Sequence, residues 1–327
     1  FQTATDAIYL TRHVSLRAGV PIPVPALTVN RLLWVRFQSI ISGCQEICLR
    51  ESEIVMCGGA ESMSNHRTLS ATSAWYQAGP ILRWKILYGR TNRTLTLRPP
   101  WRSQRESGEK YGITRKDCDK FAFESQQRWK AAQDAGHFAA EMAPIELKSK
   151  KGTVKMEKDE HPRPETTLEQ MSKLPPVFKK DGMVTAGNAS GICDGAGVVL
   201  LASEEATSKH NLTPLVRVVA YHVSGCDPNI MGFGPVPAIT EVLKKSGLTL
   251  KDMDLVEVNE AFAAQYLAVE KALGLNREKT NVNGGAIALG HPLAASGSRI
   301  ITHLTHELRR RVVIRSGIGL QGGGQAS

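Results

Sequence analysis

The stretch Asn283-Gly-Gly-Ala-Ile-Ala-Leu-Gly-His-Pro292 decides how this chain is interpreted, because it sets one histidine on a turn made of glycine and proline. Glycine permits sharp turns and close approach of a ligand, and Pro292 fixes its own φ angle. Ser296 follows as a predicted N-cap for a helix over 298–311. A histidine held in this way suits acid/base or oxyanion chemistry, whereas an isolated Gly-His-Pro would more simply be a surface turn. The surrounding sequence has to decide between the two.

Patterns of alternating strand and helix surround this stretch and predict an α/β protein with layered elements. A strand is predicted at 254–258, and Asn259 is predicted to cap a helix over 260–273. A second glycine-rich stretch, 185–197, leads into a predicted buried strand at 198–202. Further helices are predicted over 6–19, 31–50, 114–136, 203 onward and 235–245, and further strands within 21–29, 52–58 and 215–221.

Composition narrows the class of protein. The 327 residues are 42% hydrophobic, and no run of 18 apolar residues predicts a transmembrane helix. The net charge of +10 could suggest nucleic-acid binding, but eight basic residues and no acidic one fall within 66–105, without a known nucleic-acid motif. The six cysteines lack metal-site spacing and are expected to be scattered thiols. The chain begins with Phe1 and not with methionine, and residues 1–20 lack a signal-peptide pattern. We therefore expect the chain to begin partway into a domain.

Three spaced motifs in this order resemble the thiolases: Val258-Asn-Glu-Ala-Phe262, the 283–292 stretch and Gly322-Gly-Gly-Gln325. The resemblance extends over about 6–65 and 106–311. It implies the thiolase fold, in which two similar βαβαβαββ halves form a layered αβαβα core with an inserted loop domain. The opening strands of the first half are then expected to be missing from this chain.

The resemblance also implies a division into domains and a cellular setting. Residues 1–64 and 183–207 would form the N-terminal half, 65–182 the inserted loop domain and 208–327 the C-terminal half. A homotetramer in the mitochondrial matrix is implied, with thiolytic cleavage of 3-ketoacyl-CoA by CoA in fatty acid β-oxidation. Coenzyme A would be a co-substrate, with acyl-CoA as the other partner; no permanently bound cofactor, metal, nucleic acid or membrane span is expected.

Site residues follow from the matching positions. By resemblance, His291 activates a nucleophilic cysteine and helps bind an oxyanion, and Asn259 positions a water in the same oxyanion hole. Arg163, Thr166 and Ser190 match positions that contact CoA, although they could also be ordinary polar loop residues. Asn259 could likewise be a simple helix cap.

Both catalytic cysteines of the family are absent. The family's Asn-Arg-Leu-Cys-Gly-Ser-Gly-Phe-Gln-Ser motif is here Asn30-Arg-Leu-Leu-Trp-Val-Arg-Phe-Gln-Ser39, so Leu33 occupies the nucleophile position. The closing Cys-Ile-Gly-Gly-Gly-Gln motif is here Leu320-Gln-Gly-Gly-Gly-Gln325, so Leu320 occupies the position of the second cysteine. Leucine can form no thiolate. The alternative to an active acyltransferase is therefore a catalytically dead homologue that still binds acyl-CoA, and a nucleic-acid binder is a third, weaker alternative.

One hypothesis explains the first departure and the basic segment together. Inserting a C after the first codon of CTC TGT GGG TCC GGT TTT changes Leu-Cys-Gly-Ser-Gly-Phe into Leu-Leu-Trp-Val-Arg-Phe, which is the sequence at 32–37. Loss of the leftover T restores the frame. A similar shift within 66–105 would produce its excess of arginine and tryptophan. We therefore expect compensating frameshifts in the underlying nucleic acid.

Overall fold

The predicted α/β class is confirmed by the computed structural model, which describes residues 7–30, 35–64, 108, 110–149, 152–178, 180–312 and 316–319. The described helices are α1 (Leu10–Arg17), α2 (Val35–Cys48), α3 (Arg115–Asp134), α4 (Leu168–Ser172), α5 (Glu204–Lys209), α6 (Pro235–Ser246), α7 (Ala263–Leu273), α8 (Ala286–Leu289) and α9 (Ser296–Arg311). The described strands are β1 (Ile54–Glu61), β2 (Ile145–Ser149), β3 (Gly152–Met156), β4 (Gly195–Ala202), β5 (Leu255–Val258) and β6 (Ser316–Gly319). Among these helices, none is long and apolar enough to cross a bilayer.

The strands pair in a way that brings distant parts of the chain together. Strand β1 runs antiparallel to β4, with Ile54 opposite Ala202 and Glu61 opposite Gly195. Strand β5 runs parallel to β6, and β2 and β3 form a hairpin. The chain between β1 and β4 thus leaves this strand pair and returns to it. The predicted boundaries of the insertion, 65–182, and of the two halves stay a prediction.

Helix α9 is central, because it packs against the β1–β4 pair on one side and contacts β5 and β6 as well. Helix α2 packs on β1 and β4 and also contacts α9. Phe37, Ile41 and Ile300 form a buried cluster between these two helices. Helices α2 and α9, one from each end of the chain, therefore touch each other.

The helix limits follow from sequence signals that the structure confirms. Thr114 caps α3, and its side chain and that of Asp117 form a reciprocal capping box. Gly136 follows the end of this helix with a φ of 73°, a left-handed conformation that suits glycine. Helix α6 begins with Pro235, where the missing N–H costs nothing, and Ser203 caps α5.

Two predicted strands are wrong. Residues 21–29 form no strand, and their prolines at 21, 23 and 25 lack the N–H that a ladder requires. Residues 215–221 are also extended without pairing, although they are rich in valine. Val218 and Val219 remain exposed there, since no described strand lies alongside. A β-branched run becomes a strand only where a neighbour supplies the hydrogen bonds.

Candidate active site

His291 and Asn259 meet in the interior of the protein, although 32 residues separate them along the chain. The Asn259 Nδ2 atom lies 3.3 Å from His291 Nε2, and the two residues are 1% and 7% exposed. Asn259 directly follows β5, whereas His291 follows the short helix α8 and the left-handed Gly290. The end of a strand and the end of a helix thus deliver the two side chains to one point.

The proton on His291 is located by Ser296. The Ser296 hydroxyl donates its single proton to the Pro292 carbonyl oxygen at 3.0 Å. His291 Nδ1 lies 2.8 Å from the same hydroxyl oxygen, and both contacts are satisfied together when the ring carries its proton on Nδ1 and donates it to Ser296. The Nε2 atom is then the basic nitrogen of the neutral ring, and it faces Asn259. This is the tautomer that a general base needs at Nε2.

Both predicted helix caps in this region are wrong, for a common reason. Helix α7 begins at Ala263 with Phe262 as its N-cap residue, so Asn259 does not cap it. Ser296 is the first residue of α9, and Ala295 occupies its N-cap position. In each case the side chain that could have capped a helix is directed to His291 instead. The sequence offered one overlooked signal for Ser296, its position five residues after His291 across the rigid Pro292.

The only described thiol shown against the histidine turn is a poor nucleophile. A Cβ on Gly290 would lie 2.7 Å from Cys193 Sγ, so this sulfur packs directly on the turn. Burial raises the pKa of Cys193 to about 11, although the backbone N–H of His291 opposes the change. Cys193 is therefore protonated at neutral pH and does not replace the missing nucleophile.

The carboxyl groups beneath the site are strongly desolvated. Burial raises the pKa of Glu257 to about 7, with nearby His303 acting in the opposite direction. Burial also raises the pKa of Glu260, and hydrogen bonds from Asn281, Ser125 and Ile287 oppose it. In the described part of the chain, no group of three or more His, Cys, Asp or Glu side chains is arranged to hold a metal ion.

Ser190 lies beside the Asn259 loop. Its hydroxyl donates to the Ala261 carbonyl oxygen at 2.9 Å, and its backbone N–H donates to the same oxygen at 3.0 Å. The next carbonyl, of Gly191, accepts from the backbone N–H of His291 at 2.9 Å. The structure therefore brings this predicted CoA-binding residue to the edge of the His291–Asn259 pair.

Arg163 and Thr166 lie on a turn that is tied to the same loop less directly. Nη1 of Arg163 donates to the carbonyl oxygens of Glu160, His161 and Pro162 at 2.7–2.9 Å. Thr166 N–H donates to the Arg163 carbonyl oxygen at 3.1 Å. His161 links this turn to α8 through Nδ1, 2.8 Å from the Ala288 carbonyl oxygen. A role for Arg163 and Thr166 in CoA binding stays a prediction.

Leu33, Leu320 and the basic segment 66–105 lie outside the described residues. The six cysteines are all described, and all are free thiols, as the sequence predicted: Cys44, Cys48, Cys57, Cys118, Cys193 and Cys226. The structure thus brings His291 and Asn259 together, and the sequence has leucine at both positions where the family carries cysteine.

Two family models cover most of the chain. The model for the thiolase N-terminal domain matches residues 1–205, and the model for the thiolase C-terminal domain matches residues 212–327. The chain is 61% identical to bovine mitochondrial 3-ketoacyl-CoA thiolase over 312 residues, which is 95% of this chain and 79% of that protein.

Solved structures agree with the sequence comparisons. The crystal structure of human mitochondrial 3-ketoacyl-CoA thiolase matches with a TM-score of 0.90 at 58% identity, covering 99% of this chain and 83% of the other. The same human protein in complex with CoA matches with a TM-score of 0.88 at 56% identity, covering 99% and 82%. The predicted thiolase fold is thereby confirmed.

Proposed function

The chain belongs to the thiolase family, and we propose that its site supports thiolytic cleavage of a 3-ketoacyl-CoA by free CoA, giving acetyl-CoA and a shortened acyl-CoA. The observation that carries this proposal is the buried His291–Asn259 pair, 3.3 Å apart, with Nε2 as the basic nitrogen. The function is that of an acetyl-CoA acyltransferase of fatty acid β-oxidation, in agreement with the relatives named 3-ketoacyl-CoA thiolase. The same groups would serve the reverse Claisen condensation.

The chemistry explains why this pair is needed. A thiolate attacks the ketone carbonyl, the carbon–carbon bond breaks, and the acetyl-CoA enolate leaves and is protonated. His291 Nε2 accepts the proton of the attacking thiol, while Ser296 holds Nδ1. Asn259 would position a water in the oxyanion hole that His291 helps to form, and this hole would stabilise one of the negative oxygens of the reaction. A second thiol gives its proton to the enolate, and the thiolate that this leaves takes the proton of incoming CoA, which then accepts the acyl group from the enzyme.

CoA is the co-substrate in this proposal, and Arg163, Thr166 and Ser190 are its proposed contacts. Support comes from the related human structure that contains CoA and from Ser190, which lies one residue from the Gly191 carbonyl that holds His291. We infer a mitochondrial location from the relatives' names, with the matrix as the compartment. A homotetramer remains our expectation, and size-exclusion chromatography with light scattering would measure it.

A second candidate function rests on one specific observation. Leucine occupies positions 33 and 320, where the family carries its two reacting cysteines. With Cys193 protonated at neutral pH, the chain as printed has no evident thiolate beside His291. It would then bind acyl-CoA without cleaving it. The two candidates differ in whether the rest of the site supports cleavage once the two thiols are restored, and they agree in CoA binding.

The test compares the printed chain with a restored chain that carries the family loop and both thiols. The restored chain has Leu33→Cys, Trp34→Gly, Val35→Ser, Arg36→Gly and Leu320→Cys. We expect acetyl-CoA from a 3-ketoacyl-CoA and CoA only with the restored chain, because only it supplies a nucleophile. CoA binding by both chains with turnover by neither would favour the second candidate. Thiolysis by the printed chain would contradict the assignment of the missing thiols.

A further inference from the structure

The carboxylate of Glu260 lies buried beneath the backbone that leads to His291. Glu260 is 1% exposed. Its Oε2 atom accepts from the Ser125 hydroxyl at 2.7 Å and from the Ile287 backbone N–H at 3.3 Å. Its Oε1 atom accepts from Asn281 Nδ2 at 2.9 Å. A buried carboxylate with three donors is firmly held, and one of its donors belongs to the loop that carries His291.

Gly285 shows how closely the loop approaches this carboxylate. A Cβ atom on Gly285 would lie 2.4 Å from Glu260 Cδ and 2.6 Å from its Oε1. Its φ of −146° is open to any residue, so the close approach and not the backbone conformation requires glycine here. The Gly285 N–H donates to the Ser125 hydroxyl oxygen at 3.1 Å. The Ser125 hydroxyl therefore accepts from the Gly285 N–H and donates to Glu260, and in this way it links the loop to the carboxylate.

Asn259 and Glu260 are adjacent in sequence and contact two different residues of the segment that carries His291. Asn259 reaches His291 directly, whereas Glu260 reaches Ile287, four residues before His291. Glu260 also accepts from Asn281, whose side chain bonds both the N–H and the carbonyl oxygen of Val258 at 2.8 Å. One short segment after β5 thus fixes both the asparagine and the loop that bears the histidine.

We propose that Glu260, with Ser125, is a positioning residue that sets the separation of Asn259 and His291. The inference rests on the proposed function, since it takes this pair to be the reacting one. Two variants of the printed chain test it: Glu260→Gln removes a pure acceptor, and Ser125→Ala removes the bridging hydroxyl. Glu124→Gln is the control, because Glu124 is a carboxylate on α3 next to Ser125 that pairs with Arg277 and not with Glu260 or the loop.

One readout is the imidazole spectrum of the chain labelled with ¹⁵N-histidine, in which the His291→Gln variant identifies the His291 signals among those of the nine histidines. The other is backbone amide exchange, followed by mass spectrometry. We expect Glu260→Gln and Ser125→Ala to shift the His291 ring signals and to speed amide exchange at residues 285–290 about tenfold, as loss of one buried hydrogen bond implies. Glu124→Gln should change neither. A general loss of stability would speed exchange throughout and leave the ring signals of the native state in place.

Unchanged His291 signals in a folded Glu260→Gln chain would overturn the proposal. If that variant does not fold, unchanged signals in Ser125→Ala would overturn it equally. Neither readout requires turnover, so a failure of thiolysis and a failure of positioning are distinguishable. In the restored chain, Glu260→Gln should lower kcat about tenfold and leave KM nearly unchanged, because it affects the reacting pair and no group proposed to touch CoA.

Discussion

At the scale of single residues, Ser296 determines what His291 can do. The hydroxyl satisfies both the Pro292 carbonyl and His291 when it donates to Pro292 and accepts from Nδ1–H of the imidazole. Without that partner, the ring could rotate or carry its proton on Nε2, where it could no longer accept one. The proposed general base at Nε2 thus depends on Ser296, which contacts the other ring nitrogen, Nδ1.

The first prediction follows from this contact. In the restored chain, Ser296→Ala should lower kcat about tenfold, because one buried hydrogen bond of about 1–1.5 kcal/mol is lost from the reacting tautomer. Ser298→Ala is the matched control, since its buried hydroxyl also donates to a backbone carbonyl, that of Ala295, at 2.9 Å. Steady-state thiolysis of both variants measures the effect. Equal losses in the two variants would contradict a specific role for Ser296.

The second prediction concerns Glu257, whose pKa burial raises to about 7. The native state then holds a proton that the unfolded chain releases near its ordinary value of about 4.3, so stability is lost as the pH rises from there to 7. Glu257→Gln should remove this loss. The free energy of unfolding of the variant, relative to that of the parent, should therefore rise by a few kcal/mol between pH 5 and 8. Urea unfolding at both values measures the difference.

Glu278→Gln provides a control for the second prediction, since it removes a carboxylate that is exposed at the surface. Its difference from the parent should be the same at both pH values. A difference between Glu257→Gln and the parent that is also independent of pH would contradict the assigned effect of burial.

Some of this site could be predicted from sequence and some could not. His291 and Asn259 stand in motifs with distinctive neighbours, so their pairing was expected before any geometry was known. Ser296 and Asn259 were also read as helix caps, because serine and asparagine before a helical run have that role far more often. Glu260 stands in the same motif as Asn259, but its role gave no local signal, since its partners Ser125 and Ile287 are brought to it only by tertiary packing.

At the scale of secondary-structure elements, β1 is pressed against the turn that starts α9. A Cβ atom on Gly59 would lie 1.9 Å from the Ala294 carbonyl oxygen. Two residues later, Glu61 Oε2 accepts from the Ala294 N–H at 3.1 Å. The strand therefore fixes the backbone immediately before Ser296, and with it the position of the hydroxyl that holds His291.

The third prediction is that Gly59→Ala destabilises the protein by about 1–3 kcal/mol, the usual cost of overpacking, because the obstacle is backbone and cannot rotate away. Thermal unfolding should show a lower Tm. Gly225→Ala is the control, because a Cβ atom there would meet nothing within 4 Å. The same Tm for Gly59→Ala and the parent would show that β1 and the turn are not in this contact.

Elements were predictable where their signals are local. The capping box of α3 and the proline start of α6 lie within a few residues of the ends that they define. Strands depend on partners far away in sequence, and the valine-rich 215–221 segment shows how an apolar run without a described neighbour fails to become one. The parallel partner of β5, at 316–319, was likewise not predicted at its position.

At the scale of the whole molecule, the thiolase fold frames a site from which two sulfurs are missing in the sequence. The motif-bearing helices α2 and α9 touch through Phe37, Ile41 and Ile300, and the motif segment 30–39 runs in sequence into α2. That segment includes Leu33, the position of the family's nucleophile. The departure therefore falls at the position that supplies the attacking thiolate in the family.

The fourth prediction is that this departure arises in the nucleic acid. A single inserted C and a single lost T account for Leu-Leu-Trp-Val-Arg-Phe at 32–37, and a second pair of shifts accounts for the basic segment 66–105. Sequencing of the transcript should show the family's reading frame interrupted at these places. An uninterrupted frame that encodes tryptophan, valine and arginine at 34–36 would contradict this explanation.

The central claim is that His291, paired with Asn259, is the acid/base half of a thiolase site. The most direct measurement is the rate of acetyl-CoA formation from a 3-ketoacyl-CoA and CoA by the restored chain and by its His291→Ala variant. We predict that His291→Ala lowers kcat at least about a hundredfold, as loss of a general base does, while CoA binding persists. Equal rates for the restored chain and its His291→Ala variant would contradict the assignment of His291 as the acid/base residue.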